Sequence, residues 1–287
     1  MSNMVEWPIG LSTGCFYRRS IFDCLERIRA GGFNLIEICS FPSHLDYHDF
    51  EMVKRAGDLI QQLKIEPYSF HAPFAEQIDI TSPDANIRNR SIEEIVTAAT
   101  AAAEIGVRYF VIHPGPEQHD LPEEERMHRM EHAAHSLNLI SSECVELNVG
   151  LVLENMMPHL FFGKPRDVLW ILGAIESTDV GICLDTGHAY LSGDLLSVAH
   201  KLSGHLWMVH ASDNGGVEDD DLPPGDGTIE WEPFIRQLDR VHFEGPIILE
   251  LNGNSDPETT LDGAQRGSRF IREVKRRVEG ASSHITV

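Results

Sequence analysis

Cysteine is sparse in this chain: Cys15, Cys24, Cys39, Cys144 and Cys183 are spread over 287 residues, odd in number and without a CxxC pair. That pattern argues against a disulfide framework and against a thiolate zinc site, and Cys15, Cys39 and Cys183 sit in apolar surroundings that suit core thiols. Basic residues are also few, 23 Lys and Arg against 45 Asp and Glu, for a formal net charge of -22. An acidic chain repels a polyanion at long range, so nucleic acid is a poor default partner. No apolar run approaches the roughly 20 residues that span a bilayer, and the opening MSNMVEWPIG lacks the basic and then apolar pattern of a secretory leader. A soluble, cytoplasmic protein without membrane contact is expected. No stretch rich in Pro, Gly or Ser divides the chain, which predicts one domain over residues 1–287. Finally, the turn after the first apolar run, STGCFYRRS, is not GxGxxG, which argues against a dinucleotide-binding open sheet.

What the chain does have is 42% hydrophobic residues, enough for a large core, arranged in a regular alternation. Strand-like runs are Ile9–Cys15, Phe33–Cys39, Ile65–His71, Val107–His113, Val149–Glu154, Gly181–Asp185, His205–His210 and Pro246–Glu250. Helical periodicity falls between them, at Arg19–Ala30, Phe50–Leu63, Asn86–Ile105, Glu123–Leu147, Pro165–Ile175, Leu195–Leu202, Trp231–Val241 and Pro257–Val278. Eight strand-helix pairs with no other class of segment predict an α/β protein that is a single (β/α)8 TIM barrel, with its core at about residues 8–278 and a loose tail over 279–287.

The strand-like runs end in an unusual way. Six of them stop on His71, His113, Glu154, Asp185, His210 and Glu250. Taken singly, such an Asp is more often a helix cap or a turn former than a ligand. In a parallel barrel, however, every strand delivers its carboxyl end to the same rim, so residues far apart in sequence converge. Turn residues alone would bring Ser, Asn and Gly as often as His and Glu, and buried carboxylates without partners are costly. A shared divalent cation explains the bias. Oxygen and imidazole ligands without thiolate suit Mn, Zn, Co or Fe alike.

The segments His71-Ala72-Pro73, His113-Pro114-Gly115, Leu153-Glu154-Asn155, Leu184-Asp185-Thr186-Gly187-His188, His210-Ala211-Ser212-Asp213, Pro224-Gly225-Asp226-Gly227 and the closing Glu250 together resemble the xylose isomerase-like TIM-barrel superfamily. That group includes sugar and sugar-phosphate isomerases and epimerases, and the endonuclease IV type of abasic-site nuclease. The resemblance to the epimerases implies a metal held by Glu154, Asp185, His210 and Glu250, with Glu154 and Glu250 also acting as the acid/base pair. The resemblance to the nuclease implies instead one metal on His71, His113 and Glu154 and a second on Glu154, Asp185, His210 and Glu250. It also implies a third, on His188 and an Asp-x-His pair before the Pro-Gly-x-Gly turn. This chain has Asp219-Asp220-Asp221 at that pair, so Asp221 stands where His is expected.

Three functions follow as expectations. The first is a metal-dependent sugar or sugar-phosphate isomerase or epimerase; the second is a metal-dependent phosphodiesterase; the third is a carbohydrate-binding barrel without turnover. The partner expected is a small-molecule sugar or sugar phosphate, and a homo-oligomer is compatible with the sequence. His71, His113, His188, Asp219 and Asp221 are candidates for further metal ligands or substrate contacts, and Glu37, Phe74 and His159 for the substrate pocket. His128, His132 and His135 share one helical face, but in mid-helix on the outside of the barrel they read as a solvated face.

Overall fold

The computed structural model describes residues 7–75, 77–119, 121–253 and 256–282. Eight parallel strands close into a barrel in chain order, the eighth bonded to the first. They are β1 (Ile9–Ser12), β2 (Leu35–Cys39), β3 (Glu66–His71), β4 (Tyr109–Ile112), β5 (Gly150–Glu154), β6 (Val180–Asp185), β7 (Leu206–Ala211) and β8 (Ile247–Leu249). The helices are α1 (Ile21–Ala30), α2 (Phe50–Gln62), α3 (Ala85–Ile105), α4 (Glu123–Glu146), α5 (Pro165–Ala174), α6 (Thr186–Leu191), α7 (Leu195–Leu202), α8 (Trp231–Arg240) and α9 (Pro257–Ser282). Local chemistry marks their ends. Asp49, Asp84 and Asp194 cap α2, α3 and α7 by accepting backbone N–H groups, and Gly106 closes α3 in the left-handed region at φ 88°.

Alternation along each strand sorts the side chains into two cores. Phe110, Leu151, Leu153, Ile182, Leu184, Val209, Ile247 and Leu249 pack between sheet and helices. Their neighbours Val111, Val152, Cys183, Met208 and Ile248 form a separate cluster inside the barrel. Continuous apolar strands are what a parallel sheet covered on both faces requires. All five cysteines are buried and free, and no described helix is long and apolar enough to cross a membrane.

Several boundaries differ from expectation by a residue or two; β4 ends at Ile112 and β8 at Leu249, so His113 and Glu250 stand one residue beyond their strands, and three departures are larger. The first strand stops at Ser12 rather than Cys15, because Thr13–Phe16 wind into a 3-10 turn whose first residue ties the Cys39 N–H through Thr13 Oγ1 at 2.9 Å. A helix not foreseen, α6, starts directly at Asp185; with six residues it is too short to show a period. The last helix continues beyond Val278 to Ser282, so residues 279–282 are not a loose tail: Lys275 and Glu279 pair one turn apart at 3.8 Å and carry the helix on. The rest of that expected tail, 283–287, lies outside the described residues.

Candidate metal centre

The inward alternation that places Val111, Val152, Cys183, Met208 and Ile248 in the barrel core puts the next inward residue, two positions on, at its mouth. Those residues are His113, Glu154, Asp185, His210 and Glu250, and His71 joins them from the end of β3. Register places Asp185 beside His210, whereas His71 and Glu154 pair with the floor residues Val111 and Cys183 of the next strand, so the ring is staggered around the mouth. The barrel thus ends in a ring of ligand-type side chains over an apolar floor.

Two groups in this ring have the geometry to hold a metal ion. One is Glu154, Asp185, His210 and Glu250; the other is His71, His113 and Glu154; within each group the ligand atoms lie within 4.8 Å of one another. Glu154 belongs to both. Its Oε1 is 3.2 Å from His210 Nδ1, while its Oε2 is 3.1 Å from His71 Nε2 and 3.5 Å from His113 Nε2. Glu250 Oε2 approaches the same His210 Nδ1 to 2.9 Å. The donor set is nitrogen and oxygen without sulfur, which fits a divalent cation of the Mn to Zn series.

Charge is concentrated here in a dry place. Burial pushes the Glu154 carboxyl up, but the opposing pull of His210 and the hydrogen bonds from His113, His210 and His71 outweigh it, holding it well below the usual carboxylate range. Burial likewise opposes ionisation of Glu250, and His210 again overcomes it. For His71, burial disfavours the imidazolium, yet the bond to Glu154 and the surrounding carboxylates raise it to about 9. Asp185 has the opposite balance: desolvation wins over His188 and raises it to about 7. When no cation is bound, the raised imidazoles of His71 and His210 offset the Glu154 and Glu250 carboxylates, a task that a cation would take over.

The remaining candidates separate. Asp185 also accepts the His188 N–H at 2.6 Å, so it caps α6 and faces the cluster at once. His188 Nε2 meets Asp219 Oδ2 at 3.1 Å, and its Nδ1 meets the Asn155 carbonyl at 2.9 Å. Asp221 does not join that pair in any described contact: its backbone is in the left-handed region at φ 47°, and its carbonyl accepts from Asn252 N–H at 3.0 Å. Burial and the nearby carboxylates push the Asp221 carboxyl up to about 9. Neither His188, Asp219 nor Asp221 belongs to the two groups above.

The three pocket candidates fare differently. Phe74 packs its ring against His71 at 5.3 Å and His113 at 5.2 Å, walling the mouth. Glu37 does not line a pocket: it is 0% exposed, and its Oε2 lies 2.9 Å from His210 Nε2 and 2.8 Å from the Ser69 hydroxyl. A carboxylate inside the apolar run LIEIC was the available signal. His159 is exposed and lies at a tilt against His119, ring centres 5.4 Å apart, with no described contact to the ring of ligand-type side chains. His128 and His135 are exposed on α4, and His132 is partly so, away from the mouth.

Two residues of the motifs have work that spacing alone did not reveal. Asn155 bridges strands, donating to the Asp185 carbonyl at 3.1 Å and accepting the Asp185 N–H at 2.9 Å. Asp213 is fully buried and accepts the N–H groups of Gly225 (2.9 Å), Ile229 (3.0 Å) and Asn214 (3.0 Å) and the Trp231 indole N–H (2.8 Å). It pins the long β7–α8 loop that carries Asp219. Gly227 is required there, since a Cβ would stand 2.3 Å from Asp213 Oδ1.

The uncharacterized protein MJ1311 of Methanocaldococcus jannaschii is 28% identical over 258 residues, covering 86% of this chain and 84% of that one. A probable endonuclease 4 of Mycobacterium leprae is 27% identical over 218 residues, covering 72% and 78%. Among solved structures, a D-tagatose 3-epimerase-like protein superposes with a TM-score of 0.80 at 24% identity, over 93% of this chain and 98% of that one. The IOLI protein, solved with a bound zinc atom, superposes with a TM-score of 0.79 at 17% identity, over 94% and 99%. A family model described as the xylose isomerase-like TIM barrel matches residues 25–274, a span that runs from α1 to α9 and contains every residue of both ligand groups. The chain belongs to the xylose isomerase-like TIM-barrel family.

Proposed function

We propose that this protein is a metal-dependent sugar or sugar-phosphate isomerase or epimerase. The observation that carries the reading is the pair of glutamates, Glu154 and Glu250, set on the same nitrogen of His210 at 3.2 and 2.9 Å within one ligand group. The epimerase-like structural neighbour supports it. Glu154, Asp185, His210 and Glu250 would hold the cation. When bound, a divalent cation there would act as a Lewis acid on a substrate oxygen and make the adjoining C–H proton acidic.

The protein supplies the proton transfer. Both glutamates are held below the usual carboxylate range, so each is a ready base at neutral pH. They differ in access: the Glu154 side chain is 2% exposed and that of Glu250 30%. Glu154 can hold an abstracted proton away from water, whereas Glu250 exchanges with solvent. Phe74 excludes water from the side of His71 and His113. His188, with both ring nitrogens engaged by Asp219 and the Asn155 carbonyl, would hold the Asp219 loop beside Asp185.

The test is solvent-deuterium uptake into a panel of ketoses and their phosphates by the Mn- or Zn-supplied protein. Uptake that is lost in Glu154→Gln supports the assignment; uptake that survives unchanged in that variant contradicts it.

One observation favours a second reading. His71 and His113 bring a second ligand group onto the same Glu154, as a two-metal phosphodiesterase would need, and a probable endonuclease 4 is among the relatives. Elemental analysis separates the two, with about one metal per chain favouring isomerisation and two favouring hydrolysis. An abasic-site duplex left intact with Zn or Mn supplied would remove the second.

A further inference from the structure

The four imidazoles at the mouth are anchored unequally. His71 Nδ1 and His188 Nδ1 rest on backbone carbonyls, of Ala72 and Asn155, each at 2.9 Å. His113 Nδ1 is buried and makes no hydrogen bond, with Glu117 3.8 Å away. His210 alone among them has its far nitrogen on a fully buried carboxylate, Glu37, which is itself held by Ser69.

From this difference we infer that Glu37 is a positioning residue that makes the Glu154–Asp185–His210–Glu250 group the tight cation site and leaves His71–His113–Glu154 as the weak one. The inference rests on reading those groups as cation sites. Its physical basis is the hydrogen-bonding inventory of imidazole. A neutral ring has one N–H and one lone pair. Glu37 Oε2 accepts from Nε2–H, so when a cation takes the place of the Nδ1 proton, the proton that stays is the one on Nε2 and Nδ1 offers its lone pair. That nitrogen faces Glu154 Oε1 at 3.2 Å and Glu250 Oε2 at 2.9 Å, two more groups that cannot donate when ionised. Two carboxylates facing that nitrogen make a place that a cation fills well. A carboxylate behind the ring also raises the basicity of the metal-facing nitrogen more than a carbonyl does. The cost of burying Glu37 inside an apolar strand, with Oε1 lacking any hydrogen bond, is explained by that service.

Nothing comparable supports the trio. His113 Nδ1 has no hydrogen bond behind it, so only the approach of Nε2 to Glu154 holds that ring. A cation held there therefore costs the ordering of that ring at the moment of binding.

The test is a titration of the chelator-stripped protein with Zn2+ and, separately, Co2+, by calorimetry with a competing chelator. The wild type should take one equivalent tightly and a second weakly. Glu37→Gln and Glu37→Ala should weaken the first equivalent by about 10- to 100-fold, alanine more than glutamine, and leave the second within about twofold. Ser69→Ala, which removes only the hydroxyl behind Glu37, should weaken the first by a smaller factor, and serves if a Glu37 variant fails to fold. A merely structural role for Glu37 would lower the melting temperature and weaken both equivalents together. Equal weakening of the two, or wild-type affinity in both Glu37→Gln and Ser69→Ala, overturns the inference while leaving the metal reading intact. A wild-type protein that takes up neither cation overturns the metal reading, and this inference with it.

Discussion

The two ends of the barrel interior are built on the same strands and have opposite chemistry. At the amino end the inward space is filled by aromatic rings: Tyr109 lies 5.3 Å from Tyr68 and 5.2 Å from Trp207. Glycines make room for them. A Cβ at Gly181 would stand 2.1 Å from the Trp207 ring, and one at Gly150 2.8 Å from Tyr109. At the carboxyl end the same alternation presents His113, Glu154, Asp185 and His210, with the Glu154 carboxylate held by the imidazoles around it. The amino end is packing that stabilises the barrel, and the carboxyl end is charge that the barrel must support. Changes at the two ends should therefore dissociate, stability from one and chemistry from the other.

The sharpest break in that comparison is at the mouth. Glu154→Gln should lower deuterium uptake by about 10²- to 10⁴-fold, the usual effect of losing a positioned base. Its circular dichroism should match the wild type, and a simultaneous loss of fold would show that the mouth is structural after all. At the opposite end, Trp207→Ala should cost about 3 kcal/mol of unfolding free energy, the lower range for a core aromatic because the ring is only partly buried. Metal stoichiometry measured on that variant should stay at the wild-type value. Metal itself should stabilise only through the mouth: at about 100 times its dissociation constant it should add about 2.7 kcal/mol, read as a melting temperature that falls on chelation.

A smaller effect sharpens the electrostatic half. Asp185 is raised to about 7, and both His71 and Asp221 to about 9. Each binds its proton more tightly folded than unfolded, so the stability it contributes is complete below its unfolded value and disappears as pH rises through the folded one. The melting temperature of the stripped protein should fall as pH rises from about 5 to about 9, through the Asp185 change first and the Asp221 and His71 changes after it, and saturating Zn2+ should reduce that slope. A flat profile for the stripped protein would contradict the assigned charges. The smallest effect belongs to neither end: His128→Ala, on an exposed face of α4, should change stability by less than about 0.5 kcal/mol and metal content not at all.

Much of the site was legible because strand alternation is short-range. Val152 and Glu154, or Met208 and His210, are two residues apart, and one rule gives both the floor and the ligand. The shared position of Glu154 was legible only through the family resemblance, since no local pattern says that one carboxylate faces two groups. Glu37 was visible as a charge in an apolar run but not as the partner of His210, which is 173 positions away. Between Asp219 and Asp221 the sequence offered no choice. The fold chose, because the loop tied to Asp213 carries Asp219 to His188 and turns Asp221 into a left-handed position.

The sequence by itself determined the alternation of eight strands and helices, and with it that six strand ends share one rim. Periodicity and the common direction of parallel strands require no more than local information. Only the tertiary structure decided which of those ends touch, which nitrogen of His210 faces Glu154 and Glu250, and which carboxylate stands behind it. Those choices depend on register and ring orientation across strands that are neighbours in space and strangers in sequence.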